Sequence, residues 1–196
     1  MRILQVITSL QTGGAETLVV NLVLRLRPMG NDVDVCVFNG VETPLMARLR
    51  KENPGIRIWK LGHGYYNPLY ILKLVRIMRR YDIVHTHNSS PQLFVAAASL
   101  LCSVGLCTTE HNTSNRKRRW KWYAPIESWM YSQYGHIICI SKIAEDKLRE
   151  YVGGKWLDVQ SPYYHRISTI NNGVDVGKIY NAQPDAHLMS LKGPRR

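Results

Sequence analysis

The feature that most constrains this chain is an alternation. Short runs of β-branched and apolar residues are each followed by a segment whose apolar side chains recur at helical spacing. Arg2 to Thr8, Asp32 to Phe38, Ile56 to Leu61, Asp82 to Asn88, Leu106 to Glu110, His136 to Ile140 and Arg166 to Ile170 read as strands. Between them, helices are expected from Ala15 through Leu18, Val19, Leu22, Val23 and Leu26, over Thr43 to Glu52, from Asn67-Pro68, and over Pro91 to Leu101, Trp120 to Tyr134 and Lys142 to about Tyr151. In the helix after Pro68, Leu69, Leu72, Val75 and Ile77 are the expected apolar side, with Lys73, Arg76 and Arg80 on an outward stripe. Such alternation predicts an α/β protein with a doubly wound parallel sheet.

In sheets of this kind ligands gather at the carboxyl ends of the strands. Polar and glycine residues fall there: Gly13-Gly14, His87-Asn88, His111-Asn112, Ser141 and Asn172-Gly173. Gly13 and Gly14 sit where a strand hands over to a helix, so free backbone N–H groups and the positive end of the helix dipole could receive a phosphate. The pair lacks both the spaced three-glycine fingerprint of dinucleotide binders and the Gly-Lys-Ser/Thr ending of a P-loop. The plain alternative is a tight turn needing positive φ.

Successive side chains of a strand point to opposite faces, so His85 and His87 share one face and Thr86 the other. His85, deeper in its strand, reads as a satisfied core histidine. His87, at the strand end, reads as a donor or acceptor for a ligand hydroxyl. His111, between Glu110 and Asn112, is the candidate for contacting a sugar or assisting proton movement. Ser141 has no nucleophile-elbow context, and no aspartate pair has metal-binding spacing. The remaining chemistry is binding a phosphate-bearing ligand and orienting a polar acceptor.

The net charge of +12 favours an anionic partner without choosing among lipid, nucleic acid and phosphorylated substrate. Cations are densest at Arg116, Lys117, Arg118, Arg119 and Lys121, interleaved with Trp120, Trp122 and Tyr123. Lipid headgroups or single-stranded nucleic acid would suit that segment, and so would a charged loop leading into a helix whose tryptophans pack on the core. Cys36, Cys102, Cys107 and Cys139 form no zinc-type cluster and read as inert thiols. The apolar N-terminus, interrupted by Gln5, has no cleavage site of a signal peptide, and Gln92 to Thr109 falls short of a membrane span, which points to a cytoplasmic protein.

The ordered set Thr-Gly-Gly-Ala-Glu, Asp-Ile-Val-His-Thr-His-Asn, Thr-Thr-Glu-His-Asn, Ile-Cys-Ile-Ser and Ile-Asn-Asn-Gly-Val-Asp resembles the N-terminal half of family 4 glycosyltransferases. The resemblance implies a Rossmann-like domain, one of the two of the GT-B architecture, over residues 1–175, with 176–196 as a tail or linker toward a second domain. It implies transfer of a sugar from a nucleotide-sugar donor to a polysaccharide or lipid-linked acceptor, with retention of configuration, no metal and no cofactor. On matching positions Gly13 and Gly14 approach the donor diphosphate, Glu16 starts the helix, and His111 lies near the donor sugar as the catalytic candidate. His87, Asn88 and Asn112 line the acceptor side, and Ser141, Asn172 and Gly173 mark the cleft edge.

The resemblance puts the donor-holding half outside these 196 residues, so the chain alone is expected to transfer little sugar. It could dock peripherally on an anionic membrane, and a separate C-terminal domain could complete it. The alternatives are a non-catalytic subunit of a split transferase and a fragment of a GT-B sugar-nucleotide epimerase. No specific nucleic acid is expected as a partner.

Overall fold

A computed structural model describes residues 1–64, 66–111, 118, 120–173 and 176–181. Its centre is one sheet of seven parallel strands in the order β3-β2-β1-β4-β5-β6-β7. The strands are β1 (Arg2–Ile7), β2 (Asp32–Asn39), β3 (Ile58–Gly62), β4 (Ile83–His87), β5 (Gly105–Glu110), β6 (His136–Cys139) and β7 (Ile167–Thr169). The helices are α1 (Gly14–Leu26), α2 (Pro44–Glu52), α3 (Leu69–Met78), α4 (Ser89–Ser99), α5 (Ala124–Ser132), α6 (Lys142–Val152) and a short α7 (Val176–Tyr180). This is the doubly wound sheet that the alternation predicts. The strand order reverses between β1 and β4, whose register pairs Gln5 with His85 and Val6 with Thr86.

Two hydrophobic cores lie against the sheet. The larger draws Leu4, Val6, Phe38, Leu74, Met78, Val95, Tyr131, Leu148 and Trp156 from the strands, from α3 to α6 and from the 3₁₀ turn after α6. The smaller is built from Ile7, Leu10, Val19, Val20, Val23, Val33, Val35, Val37, Met46 and Leu49, on the α1 and α2 side. A buried polar ring ties α4 and the turn after α5 to β4 and β5. Thr86 Oγ1 donates to Tyr134 OH (3.1 Å), which donates to the Gln92 carbonyl (2.7 Å). Gln92 Nε2 donates to Thr108 Oγ1 (2.8 Å), and that hydroxyl donates to the Thr86 carbonyl (3.1 Å), so each member is satisfied.

Some boundaries differ from expectation for identifiable reasons. Residues Lys121–Tyr123 form a 3₁₀ turn and α5 starts only at Ala124. Pro125 dictates this, because its ring and missing N–H fit a first turn but not a helix interior. In α3 the inward residues are Tyr70, Leu74, Val75, Ile77 and Met78, while Leu69 and Leu72 are 62% and 59% exposed. The basic stripe is not simply solvated: Lys73 Nζ donates to the Leu61 carbonyl at 2.7 Å and Arg80 stacks over Trp59. Thr43 caps α2 as expected, accepting from Met46 N. Cys36 and Cys139 are buried, whereas Cys102 and Cys107 are partly exposed. No helix among the described residues is long and apolar enough to cross a membrane.

Candidate functional site

At the carboxyl ends of β1, β4 and β5 a cavity of about 330 Å³ is lined by Gly14, Ala15, Glu16, Asn88, His111, Ile140 and Asn172. It sits at the switch point where ligands of doubly wound sheets bind. The sheet register and the loops after β1, β4, β5, β6 and β7 bring together these residues from five separate stretches of chain.

The glycine loop is not the positive-φ turn of the plain alternative. Gly13 is extended (φ −172°), so no positive φ is required there. What glycine supplies is room: a Cβ at Gly13 would overlap the Glu16 carboxylate, whereas one at Gly14 would meet nothing. The first intrahelical bond is Thr17 N–H to the Gly13 carbonyl (3.0 Å), which the Thr17 hydroxyl also reaches at 2.7 Å. The N–H groups before Thr17 therefore have no intrahelical acceptor. Glu16 lines the cavity beside them, so the acidic residue of this first turn faces the same space. No cation lines the cavity among the described residues.

His111 follows β5 directly, and its Nε2 is 3.1 Å from His87 Nδ1. His87 Nε2 is 2.8 Å from Gln5 Oε1. This overturns the role expected of His87. It is 0% exposed with both ring nitrogens engaged inside the protein, so it cannot bond an acceptor hydroxyl itself. His85, whose ring centre is 4.3 Å from that of His87, bonds Thr109 Oγ1 at 2.8 Å. Of the two it is His85 that is less buried, the reverse of the order expected from strand depth. Burial lowers the pKa of His111 to about 4. Burial, reinforced by the charge of His111, does the same to His85, also to about 4. Burial next to both neighbours holds His87 well below the usual imidazole range. All three imidazoles are neutral at pH 7.

Asn88 lines the cavity with φ 71° and ψ 151°, a region that side chains other than glycine rarely enter. It precedes the first residue of α4, and its Nδ2 lies 3.5 Å from Thr8 Oγ1. Ser141 is a helix cap, accepting from Ala144 N at 3.2 Å, while its neighbour Ile140 supplies the cavity wall. Asn172 lines the cavity, but Gly173 borders a different groove of about 700 Å³ that Leu18, Leu22, Arg25, Arg48 and Glu52 also line. Ala15 and Ile140 in the cavity wall, and Gln5 behind His87, are additions to the expected site. The signal for Gln5 was available, as the one amide inside the β-branched run of β1.

Glu110 does not serve His111. It points to the opposite face and accepts from Tyr131 OH at 2.6 Å. Arg118 joins it there: its guanidinium is 3.6 Å from Glu110, bonds Glu127 at 3.3 Å and Tyr131 OH at 3.2 Å, and lies over the Tyr151 ring. With a side chain only 10% exposed, Arg118 is an internal ion-pair partner, not part of an anion-binding surface as its basic neighbours suggested. Asn112, Arg116, Lys117 and Arg119 lie outside the described residues, as does the Lys121 side chain. The tryptophans are not core residues either. Trp120 and Trp122 are 53% and 65% exposed and stack on each other with centroids 5.6 Å apart. No group of His, Cys, Asp and Glu among the described residues is arranged to hold a metal ion.

The arrangement offers neutral imidazole, amide and carboxylate groups to a small cavity: a set that reads hydroxyls. Comparison with solved structures finds the same fold in larger proteins. HepE from Anabaena, crystallised with UDP, matches with a TM-score of 0.69 and 16% identity over 94% of this chain and 47% of that one. A glycosyltransferase from Rickettsia africae matches at 0.61 and 21% identity over 93% and 46%. The UDP-GlcNAc 2-epimerase of Neisseria meningitidis, bound to UDP-GlcNAc, matches at 0.57 and 12% identity over 86% and 46%. The chain thus spans about half the length of these proteins. Comparison of the sequence with curated proteins gives no match. The profile of Glycosyltransferase Family 4 matches residues 12–178, most of the sequence, and the chain belongs to that family.

Proposed function

We propose that this chain forms the acceptor side of a sugar transferase that takes a nucleotide-sugar donor and retains configuration at the anomeric carbon, without a metal or other cofactor. The observation that carries the reading is the cavity itself. His111, Asn88, Asn172 and Glu16 converge with neutral or negative groups and no described cation, which suits the hydroxyls of an incoming sugar better than a diphosphate. A polysaccharide or lipid-linked sugar is the proposed acceptor. The donor phosphates are assigned chiefly to a second domain, in the same polypeptide or a separate one, with the free N–H groups at the start of α1 as a secondary contact. HepE has been crystallised with UDP and with UDP-glucose, which supports a uridine nucleotide as the donor's carrier. In this division residues 1–175 are assigned as the acceptor-side domain and 176–196 as a tail or linker toward the second domain. The exposed Trp120–Trp122 stack and the net charge of +12 support peripheral contact with an anionic membrane face.

The test is reconstitution. The chain is mixed with the donor-side half of a family member, UDP-glucose and a lipid-linked saccharide, and labelled product is counted. Transfer that requires both halves and drops at least 100-fold in His111→Ala supports the proposal. Epimerised nucleotide sugar without transfer favours the epimerase reading, whose fold the Neisseria enzyme shares. Neither product under any pairing supports a binding subunit.

A further inference from the structure

Gln5, His87 and His111 form a continuous chain of hydrogen bonds from the middle of β1 to the cavity wall. Gln5 is 1% exposed and His87 0%, and the two contacts are 2.8 Å and 3.1 Å. Each link constrains the next. The Gln5 carbonyl oxygen can only accept, so His87 carries its proton on Nε2. The ring is neutral, so His87 Nδ1 is bare and must accept from His111. His111 then carries its own proton on Nε2. Its Nδ1 is left as a lone pair with no partner among the described residues, on a ring that lines the cavity.

The buried Gln5 is also incompletely satisfied. Its Nε2 is enclosed and makes no hydrogen bond. An amide buried with an idle donor, between the fully enclosed Leu4 and Val6, weakens the fold relative to an apolar side chain. Its contribution therefore lies in the acceptor it presents to His87.

We propose that Gln5 and His87 are positioning residues that hold His111 in the Nε2–H tautomer and so present its Nδ1 lone pair as the acceptor for a substrate hydroxyl. The hydroxyl role rests on the transferase reading above; the tautomer does not. Fixing the tautomer means that the ring meets the hydroxyl as an acceptor in every molecule, with no fraction of the population presenting an N–H instead.

The experiment is two-bond ¹H–¹⁵N correlation of the histidine rings in the ¹⁵N-labelled chain at pH 7, which separates protonated from bare ring nitrogens. The expected spectrum shows Nε2–H and bare Nδ1 for both His87 and His111. A His111 ring protonated at Nδ1, or averaging between the two forms, overturns the proposal. In Gln5→Leu the acceptor is gone, and both rings are expected to move together toward Nδ1–H while His85, bonded to Thr109, keeps its pattern. Unchanged His87 and His111 tautomers in a folded Gln5→Leu overturn it as well. Should that variant not fold, the wild-type spectrum decides alone. Excess methyl glucoside is expected to shift His111 Nδ1 selectively. No shift, with the wild-type tautomer as expected, removes the hydroxyl role and leaves the hydrogen-bond chain standing.

Discussion

Replacing Arg118 by Met should expose how much of this fold depends on one enclosed cation. The substitution keeps the aliphatic stem and removes the guanidinium that faces Glu110, Glu127 and the Tyr131 hydroxyl. The two carboxylates it leaves have side chains only 8% and 1% exposed. Breaking an enclosed pair by deleting one partner typically costs about 3–5 kcal/mol. Protonation sets a ceiling, because neutralising an ordinary glutamate at pH 7 costs about 3.7 kcal/mol. Burial already raises the Glu127 pKa against the opposing pull of Arg118, so that residue gives way first. A loss of about 3 kcal/mol at pH 7 follows, or roughly 6–12 °C in Tm for a chain of this size. At pH 5 the same neutralisation costs only about 1 kcal/mol, and the deficit should shrink accordingly. The assay is thermal and urea denaturation of wild type and variant side by side at both pH values. A Tm within 2 °C of wild type at pH 7 (under about 1 kcal/mol), or equal deficits at both pH values, refutes the reasoning. An Arg118 engaged in lipid contact would give the opposite pattern, unaltered melting with weaker binding to anionic vesicles.

The enclosed imidazoles predict acid lability. His85 and His111 have pKa values held to about 4 by burial, against about 6.5 in the unfolded chain, which therefore takes up protons first as pH falls. Their contribution is complete above about pH 6.5 and is lost progressively toward pH 4, by about 2 kcal/mol each at pH 5. An unfolding midpoint unchanged between pH 7 and pH 5 would contradict this. Glu16→Gln removes the one carboxylate among the described residues that line the cavity, so UDP should bind about 3- to 10-fold more tightly by calorimetry, a gain of about 1 kcal/mol; weaker binding would mean that Glu16 contacts the nucleotide favourably. Asn88→Gly relieves a backbone held at φ 71° and ψ 151° and should raise stability by about 1 kcal/mol while loosening the cavity. A destabilised Asn88→Gly would show that the side chain holds the loop more strongly than the backbone resists.

The strands were readable because a sheet enclosed by helices demands runs of Val, Ile and Leu, and β1, β2, β4 and β6 have them. The switch-point location of the cavity followed from topology alone. What the one-dimensional pattern could not supply was partnership across the sheet. His87 looked available because it ends its strand; it is enclosed because Gln5, 82 positions away, reaches its far nitrogen. Arg118 looked like one of a run of surface cations for the same reason, since Glu110 and Glu127 approach it only once β5 and α5 are packed. Pro125, by contrast, is a purely local signal: a proline suits the first turn of a helix, which puts the start of α5 at Ala124 and not at Trp120.

The smaller of the two cores has an unusual property. All ten of its enclosed side chains come between Ile7 and Leu49, whereas the larger runs from Leu4 to Ile167. A ribosome delivers the chain from the N-terminus, so the first core can close when only about a quarter of the residues have emerged. The far edge of β1, where Gln5 waits, then stays open until Ile83–His87 arrives and pairs with it. Assembly of the cavity is thus ordered in time: the α1 rim comes first, His87 seats against Gln5 second, His111 joins third, and Ile140 and Asn172 complete the wall last. Native-state hydrogen exchange should carry the imprint, with the amides of β2 and α1 opening as a unit separable from those of β5 and β6.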